Sequence, residues 1–141
     1  MKQVTVSNKR SKDKAEIHEL IERWVRAIRA EDLDGILANH SSEILMFDLP
    51  GPVQLKGIDA YKNSWLPLFD WIRGGGAFDL SEVTITAGDD VAFATALIHC
   101  LGTDANGRKV VTEGRLTIGL RKIDGQWVVM HEHHSEPSDT T

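Results

Sequence analysis

GRLTIGLRKIDGQWVVMHEHHS, residues 114–135, decides the fold. Two runs rich in Leu, Ile, Val and Thr flank Asp124-Gly125. An Asp-Gly pair between apolar runs is the sequence signal of a tight hairpin. Strands are therefore expected at 109–123 and 126–135. The second strand leaves on three of the chain's six histidines, His131, His133 and His134, with Glu132 among them. Side chains alternate faces along a strand. Trp127, Val129, His131, His133 and Ser135 fall on one face, and Val128, Met130, Glu132 and His134 on the other. The cluster is thus divided between two surfaces.

Working back from the hairpin, 78–87 and 91–101 read as two more strands, punctuated by Gly88-Asp89-Asp90 and by the DANG of 104–107. Earlier still the period changes. Ile17, Leu20, Ile21, Trp24, Val25 and Ile28 form one helical stripe within 12–31, with Ser11 placed to cap it. Asp32 can cap a short second helix through Leu33, Ile36 and Leu37. Residues 44–47 suggest a short strand, ended by the LPGP of 49–52, whose two prolines cannot sustain a ladder. Gly57 opens a third helix with Tyr61, Trp65 and Phe69 four residues apart on one face. Pro67 either bends that helix or sits in a fresh first turn. Gly74-Gly75-Gly76 ends it. Helices first and a meander afterwards make an α+β protein. The expected organisation is a flexible segment at 1–11, one domain at 12–137 and a frayed tail at 138–141.

A chain of 141 residues fits one self-supporting domain. Its net charge of −5 gives no electrostatic support to a nucleic-acid partner or an anionic membrane. The single cysteine, Cys100, precludes an internal disulfide framework and suits a reducing compartment. No run approaches the ~20 apolar residues that span a bilayer, and no leader pattern opens the chain. A cytoplasmic protein is expected.

Four stretches carry a family resemblance: ERWVRAIRAEDLDGI, ILMFDLPGPVQLKG, GRLTIGLRKIDGQW and WVVMHEHHS. Their order and spacing over about 12–137 resemble the NTF2-like superfamily, in its SnoaL-like and ketosteroid-isomerase-like branch. The resemblance implies a cone, in which three N-terminal helices pack on a strongly curved, mostly antiparallel sheet that encloses a pocket. It also implies a homodimer through the outer face of the sheet, here with Trp127, His131 and His133. It implies no cofactor. Chemistry does not follow from it, because this fold hosts isomerases, cyclases, dehydratases, hydrolases and non-enzymatic modules.

Aligned with ketosteroid isomerase by counting back from Gly57, Asp48 falls at the position of the aspartate base. A carboxylate facing an apolar cavity has its charged form disfavoured, which makes it a better base. The same residue before a Pro/Gly loop can instead cap that loop. The isomerase's oxyanion donors are not matched, since Trp24 stands where its tyrosine would be and Ile118 near its second acid. Glu132 and His134, projecting into the pocket from one strand, could supply an acid or orienting partner to Asp48, or could serve stability alone. The resemblance puts Trp24, Trp65, Phe69, Ile98, Ile118 and Met130 around the ligand.

Other polar residues have simpler readings. His131-x-His133 has the spacing of two metal ligands, but no third ligand is evident, and no metal is expected. Arg115 suits a cross-strand pair with Glu113 or Glu132, or a ligand carboxylate. His40 can bond the last carbonyls of the second helix. The expectation is a protein that binds a small apolar or aromatic molecule, with cofactor-independent acid–base catalysis through Asp48. The alternative is a non-catalytic ligand-binding or oligomerisation module.

Overall fold

The computed structural model describes residues 2–49, 51–73 and 75–138, with side chains from residue 8 onward. Met1, Pro50 of the expected loop, Gly74 of the glycine run and the tail beyond Ser138 lie outside the described residues.

Helix α1 spans Lys2–Arg29. It starts well ahead of Ser11, which lies inside it rather than capping it, so the segment expected to precede the helix belongs to it from Lys2. The predicted stripe is the buried one, with Ile17 and Ile28 fully enclosed and Leu20, Ile21, Trp24 and Val25 nearly so. Burying side chains of this size contributes about 1.5–3 kcal/mol each. Asp32 caps α2 (Leu33–Leu37) by accepting the Gly35 N–H at 3.1 Å. The expected third helix is two: α3 (Ile58–Ser64) and α4 (Leu66–Ile72). Pro67 sits in the first turn of α4, where its missing N–H costs nothing.

The strands are β1 (His40–Phe47), β2 (Leu55–Lys56), β3 (Ala77–Ala87), β4 (Val91–Thr103), β5 (Lys109–Ile123) and β6 (Gln126–Ser135). The two-residue β2 is too short for a periodic pattern to reveal. Strand order in the single sheet is β2-β1-β6-β5-β4-β3. All neighbours are antiparallel except β1 and β6. The sheet is curved and unclosed, and the helices pack on its inner face. Asp124 and Gly125 both take positive φ, 51° and 80°, the backbone of the hairpin that their sequence predicts.

One irregularity changes what β6 presents. Leu120 pairs with Val129 and Gly119 with His131, so Met130 is an extra residue opposite a single step of β5. Such a bulge inverts the alternation. Trp127 and Val129 point inward on one side of it, and Glu132 and His134 point inward on the other. The inward placing of Glu132 and His134 stands. The outward placing of Trp127 does not: Trp127 is only 3% exposed, and its indole N–H donates to Asp13 Oδ1 at 3.2 Å. Lys122 Nζ reaches the same oxygen at 2.9 Å and stands 5.6 Å from the Trp127 ring centroid. Trp127 thus anchors α1 to the β5–β6 hairpin and is withdrawn from the expected dimer face. His131 and His133 remain there, beside Phe47 at ring distances of 4.9 and 5.3 Å.

Candidate active site

The parallel pairing of β1 with β6 brings the two chemical stretches together. Met46 pairs with Glu132 and Phe47 with His133, so Asp48, the residue that follows β1, comes beside His134. Asp48 Oδ1 accepts the Leu49 N–H at 2.8 Å, the loop-capping contact, and stands 3.7 Å from His134 Nδ1. The side chain is 20% exposed. Burial pushes the Asp48 carboxyl above its ordinary value, outweighing the opposing pull of the His134 charge and the Leu49 N–H. Loop-capping is therefore present without the lowered pKa that it alone would give.

Behind His134 lies Glu132, 1% exposed and fully partnered. His134 Nε2 meets its Oε1 at 3.1 Å. On the other oxygen, Tyr61 donates its hydroxyl at 2.5 Å and His40 Nε2 approaches to 3.1 Å. Burial would raise the Glu132 carboxyl. The hydrogen bonds and charges of His134 and His40 outweigh it and bring the value down to about 2. Tyr61 is driven well above its usual range, first by burial and then by the neighbouring Glu132 charge. The Trp24 indole donates to Tyr61 Oη at 3.0 Å. His40 Nδ1 faces the Ala38 carbonyl at 2.8 Å.

His134 faces a carboxylate at each ring nitrogen, Glu132 Oε1 at 3.1 Å from Nε2 and Asp48 Oδ1 at 3.7 Å from Nδ1. A carboxylate, an imidazole and a second carboxylate thus stand in series from the surface of a cavity into the core.

That cavity has a volume of about 440 Å³. Asp48 and His134 lie on its wall with Trp65, Trp71, Phe78 and Ile98. Trp71 lies on the bare backbone of β4. A Cβ on Gly102 would fall 1.8 Å from the Trp71 Nε1, so only glycine permits this approach. Of the residues expected around a ligand, Trp65 and Ile98 line the cavity. Trp24, Phe69 and Ile118 are core residues behind it. Met130 is half-buried at the bulge, away from the cavity. Glu132 contacts the cavity only through His134.

The sequence reading gives His40 only a helix-end contact and Tyr61 only a place on one face of the third helix, with Trp65 and Phe69. His40 does make that contact, yet its other nitrogen holds Glu132. The available signal was that Tyr61, the chain's one tyrosine, shares a helix face with Trp65. Arg115 binds Ser135 Oγ and the Glu136 carbonyl at 3.0 and 3.1 Å, and neither expected carboxylate. His131 Nδ1 donates to the Leu45 carbonyl at 2.7 Å. Among the described residues no cluster of three or more His, Cys, Asp or Glu is arranged to hold a metal ion, and no helix is long and apolar enough to cross a membrane. A separate depression of about 360 Å³ between α1 and α2, with Arg23, Arg26 and Asp32 at its edge, holds no such chain of buried acid and imidazole groups.

Residues 17–139 match the sequence model of the SnoaL-like domain. An NTF2-like protein of unknown function from Pseudomonas putida KT2440 is 36% identical, with a TM-score of 0.81 over 92% of this chain and 90% of that one. An NTF2-like protein with a cystatin-like fold from Novosphingobium aromaticivorans is 15% identical, with a TM-score of 0.84 over 100% and 92% of the two chains. A candidate dehydratase of the NTF2-like family from Streptomyces avermitilis is 15% identical, with a TM-score of 0.78 over 92% and 99%. The last two speak for the fold alone. Curated proteins give no match to this sequence.

Proposed function

The chain belongs to the SnoaL-like family of NTF2-like proteins, and from that premise we propose that it binds a small apolar or aromatic molecule in the cavity and acts on it by acid–base chemistry that needs no cofactor. Asp48 is the base, His134 its partner and Glu132 the group that orients His134. The observation that carries this reading is His134 standing between Asp48 and Glu132 at the cavity wall. A general base needs a pKa nearer the working pH than an exposed carboxylate has, and burial moves Asp48 in that direction. A proton taken from substrate C–H or O–H rests on Asp48, with His134 held beside it by Glu132. Because Asp48 accepts a proton only when ionised, the rate rises with pH through its raised pKa. Isomerisation, cyclisation, dehydration and hydrolysis all use such a set.

The test is a thermal-shift and ligand-observed NMR screen of uncharged aromatic hydroxy and keto compounds, on wild type and Asp48→Asn side by side. Binding to wild type that weakens in the variant supports the reading. A folded wild type that binds none of them turns it towards the non-catalytic module, which the lack of a matched oxyanion donor favours.

The second part of the proposal is a homodimer through the outer sheet face. Pairing registers align Phe93, Gly119, His131 and Leu45 in one row across four strands, and Thr95, Thr117, His133 and Phe47 in the next. Phe93 is 50% exposed and Val91 56%, and the described helices lie on the opposite face. A contiguous face of this kind is what an isologous interface buries.

A further inference from the structure

We propose that the ligand of this cavity is an aromatic ring compound without negative charge whose polar end is a hydrogen-bond donor, an O–H or N–H, received by Asp48 Oδ2. This rests on the reading of the cavity as the ligand site and narrows it to a substrate class.

The argument is an inventory of donors and acceptors. Both contacts recorded for Asp48 fall on Oδ1, which leaves Oδ2 for a ligand. Glu136 adds a second carboxylate at the exposed rim. Three of the wall's side-chain donors are turned to the protein. Ser64 Oγ donates to the Tyr61 carbonyl at 2.6 Å. Thr112 Oγ1 points to the Cys100 carbonyl at 3.5 Å, whereas Ser135 Oγ accepts from Arg115 Nε at 3.0 Å. The Trp71 N–H lies against the Cys100 thiol. The Trp65 N–H makes no hydrogen bond of good geometry, but lies near enough to Tyr61 to ease that phenol's pKa down. No lysine or arginine is among the lining residues.

A wall with two carboxylates and no lysine or arginine disfavours a carboxylate or phosphate, which meets Asp48 and Glu136 with like charge. A phenol, alcohol or ammonium supplies the proton that Asp48 Oδ2 accepts, and an ammonium gains from the aromatic faces as well. Trp65, Trp71 and Phe78 set the ring preference, with Trp71 held in place by the absent side chain at Gly102.

Four matched probes test this by NMR titration of the full chain near neutral pH: 2-naphthol, 2-naphthylmethylamine, 2-methoxynaphthalene and 2-naphthoate. The naphthol and the amine are expected to bind at least tenfold more tightly than the methoxy compound, and naphthoate weakest. In Asp48→Asn the charge is gone and an amide N–H is offered, so the penalty on naphthoate should shrink. Should that variant fail to fold, Glu136→Gln at the exposed rim carries the same comparison. Naphthoate binding as tightly as naphthol, or the methoxy compound matching it, overturns the donor rule while leaving the cavity as the ligand site. An order of affinities that does not change in a folded variant overturns the part given to its carboxylate. Silence from all four probes overturns this proposal together with the reading on which it rests.

Discussion

Tyr61 Oη stands 2.5 Å from Glu132 Oε2 and donates to it inside the closed core of the cone. A carboxylate at that depth survives as an anion only because Tyr61, His40 and His134 converge on it. Glu132 is therefore a fixed charge, depressed to about 2, and not a group that trades protons at neutral pH.

The sign of its pH dependence follows. A carboxylate whose folded pKa lies below its unfolded value stabilises the fold in full above that unfolded value. Here the contribution is present above about 4.5 and is lost as pH falls towards about 2. Glu132→Gln should cost on the order of 3 kcal/mol at neutral pH, as breaking a buried ion pair does. Urea unfolding at pH 7 and pH 3 checks this. The gap between wild type and variant should narrow at pH 3, and an unchanged gap would contradict it.

Tyr61→Phe removes one donor to Glu132 and leaves the Trp24 indole N–H without its acceptor. An unsatisfied buried polar group costs about 1–3 kcal/mol. Thermal unfolding should show a loss in that range. A neutral substitution would mean that neither hydrogen bond contributes.

Gly102→Ala places a methyl group where the Trp71 indole lies. Overpacking of this kind costs about 1–3 kcal/mol, and the ring has to leave its seat on β4. Trp71 is one of four tryptophans, so the fluorescence change should be read against Trp71→Phe, in which the same alanine substitution should be better tolerated.

Trp127 and Phe93 separate folding from assembly. Trp127→Ala removes a core ring and an Asp13 hydrogen bond, and should destabilise the fold by about 3–5 kcal/mol. Phe93→Glu changes a half-exposed residue of the outer face and should leave stability nearly intact. Sedimentation velocity should show wild-type dimers and Phe93→Glu monomers. Dimers that persist in Phe93→Glu would move the interface elsewhere.

Much of the fold was legible. Strands β5 and β6 start and stop where alternation and the Asp-Gly turn put them. Long periodic elements fix their own bounds because many residues report the same period. The bulge at Met130 was not legible, since an inserted residue in a run of WVVMHEHHS leaves no compositional mark. It moved Trp127 and Val129 to the inside while leaving Glu132 and His134 there. Asp48 and His134 meet because β1 and β6 run parallel, a pairing that joins the first strand to the last and has no local signal. His40 and Tyr61 stayed hidden for a related reason: each satisfies an ordinary local role, and their convergence on Glu132 is purely tertiary.

The central claim is that Asp48 is a base tuned by burial beside His134, and the most direct measurement is a ¹³C NMR titration of the Asp48 carboxyl in wild type and His134→Gln. The account predicts that it titrates above the ordinary aspartate value of about 3.9 in wild type, and higher still in His134→Gln, where the charge that pulls it down is gone. A wild-type value at or below the ordinary one would make Asp48 a loop cap held by the Leu49 N–H and would contradict the account.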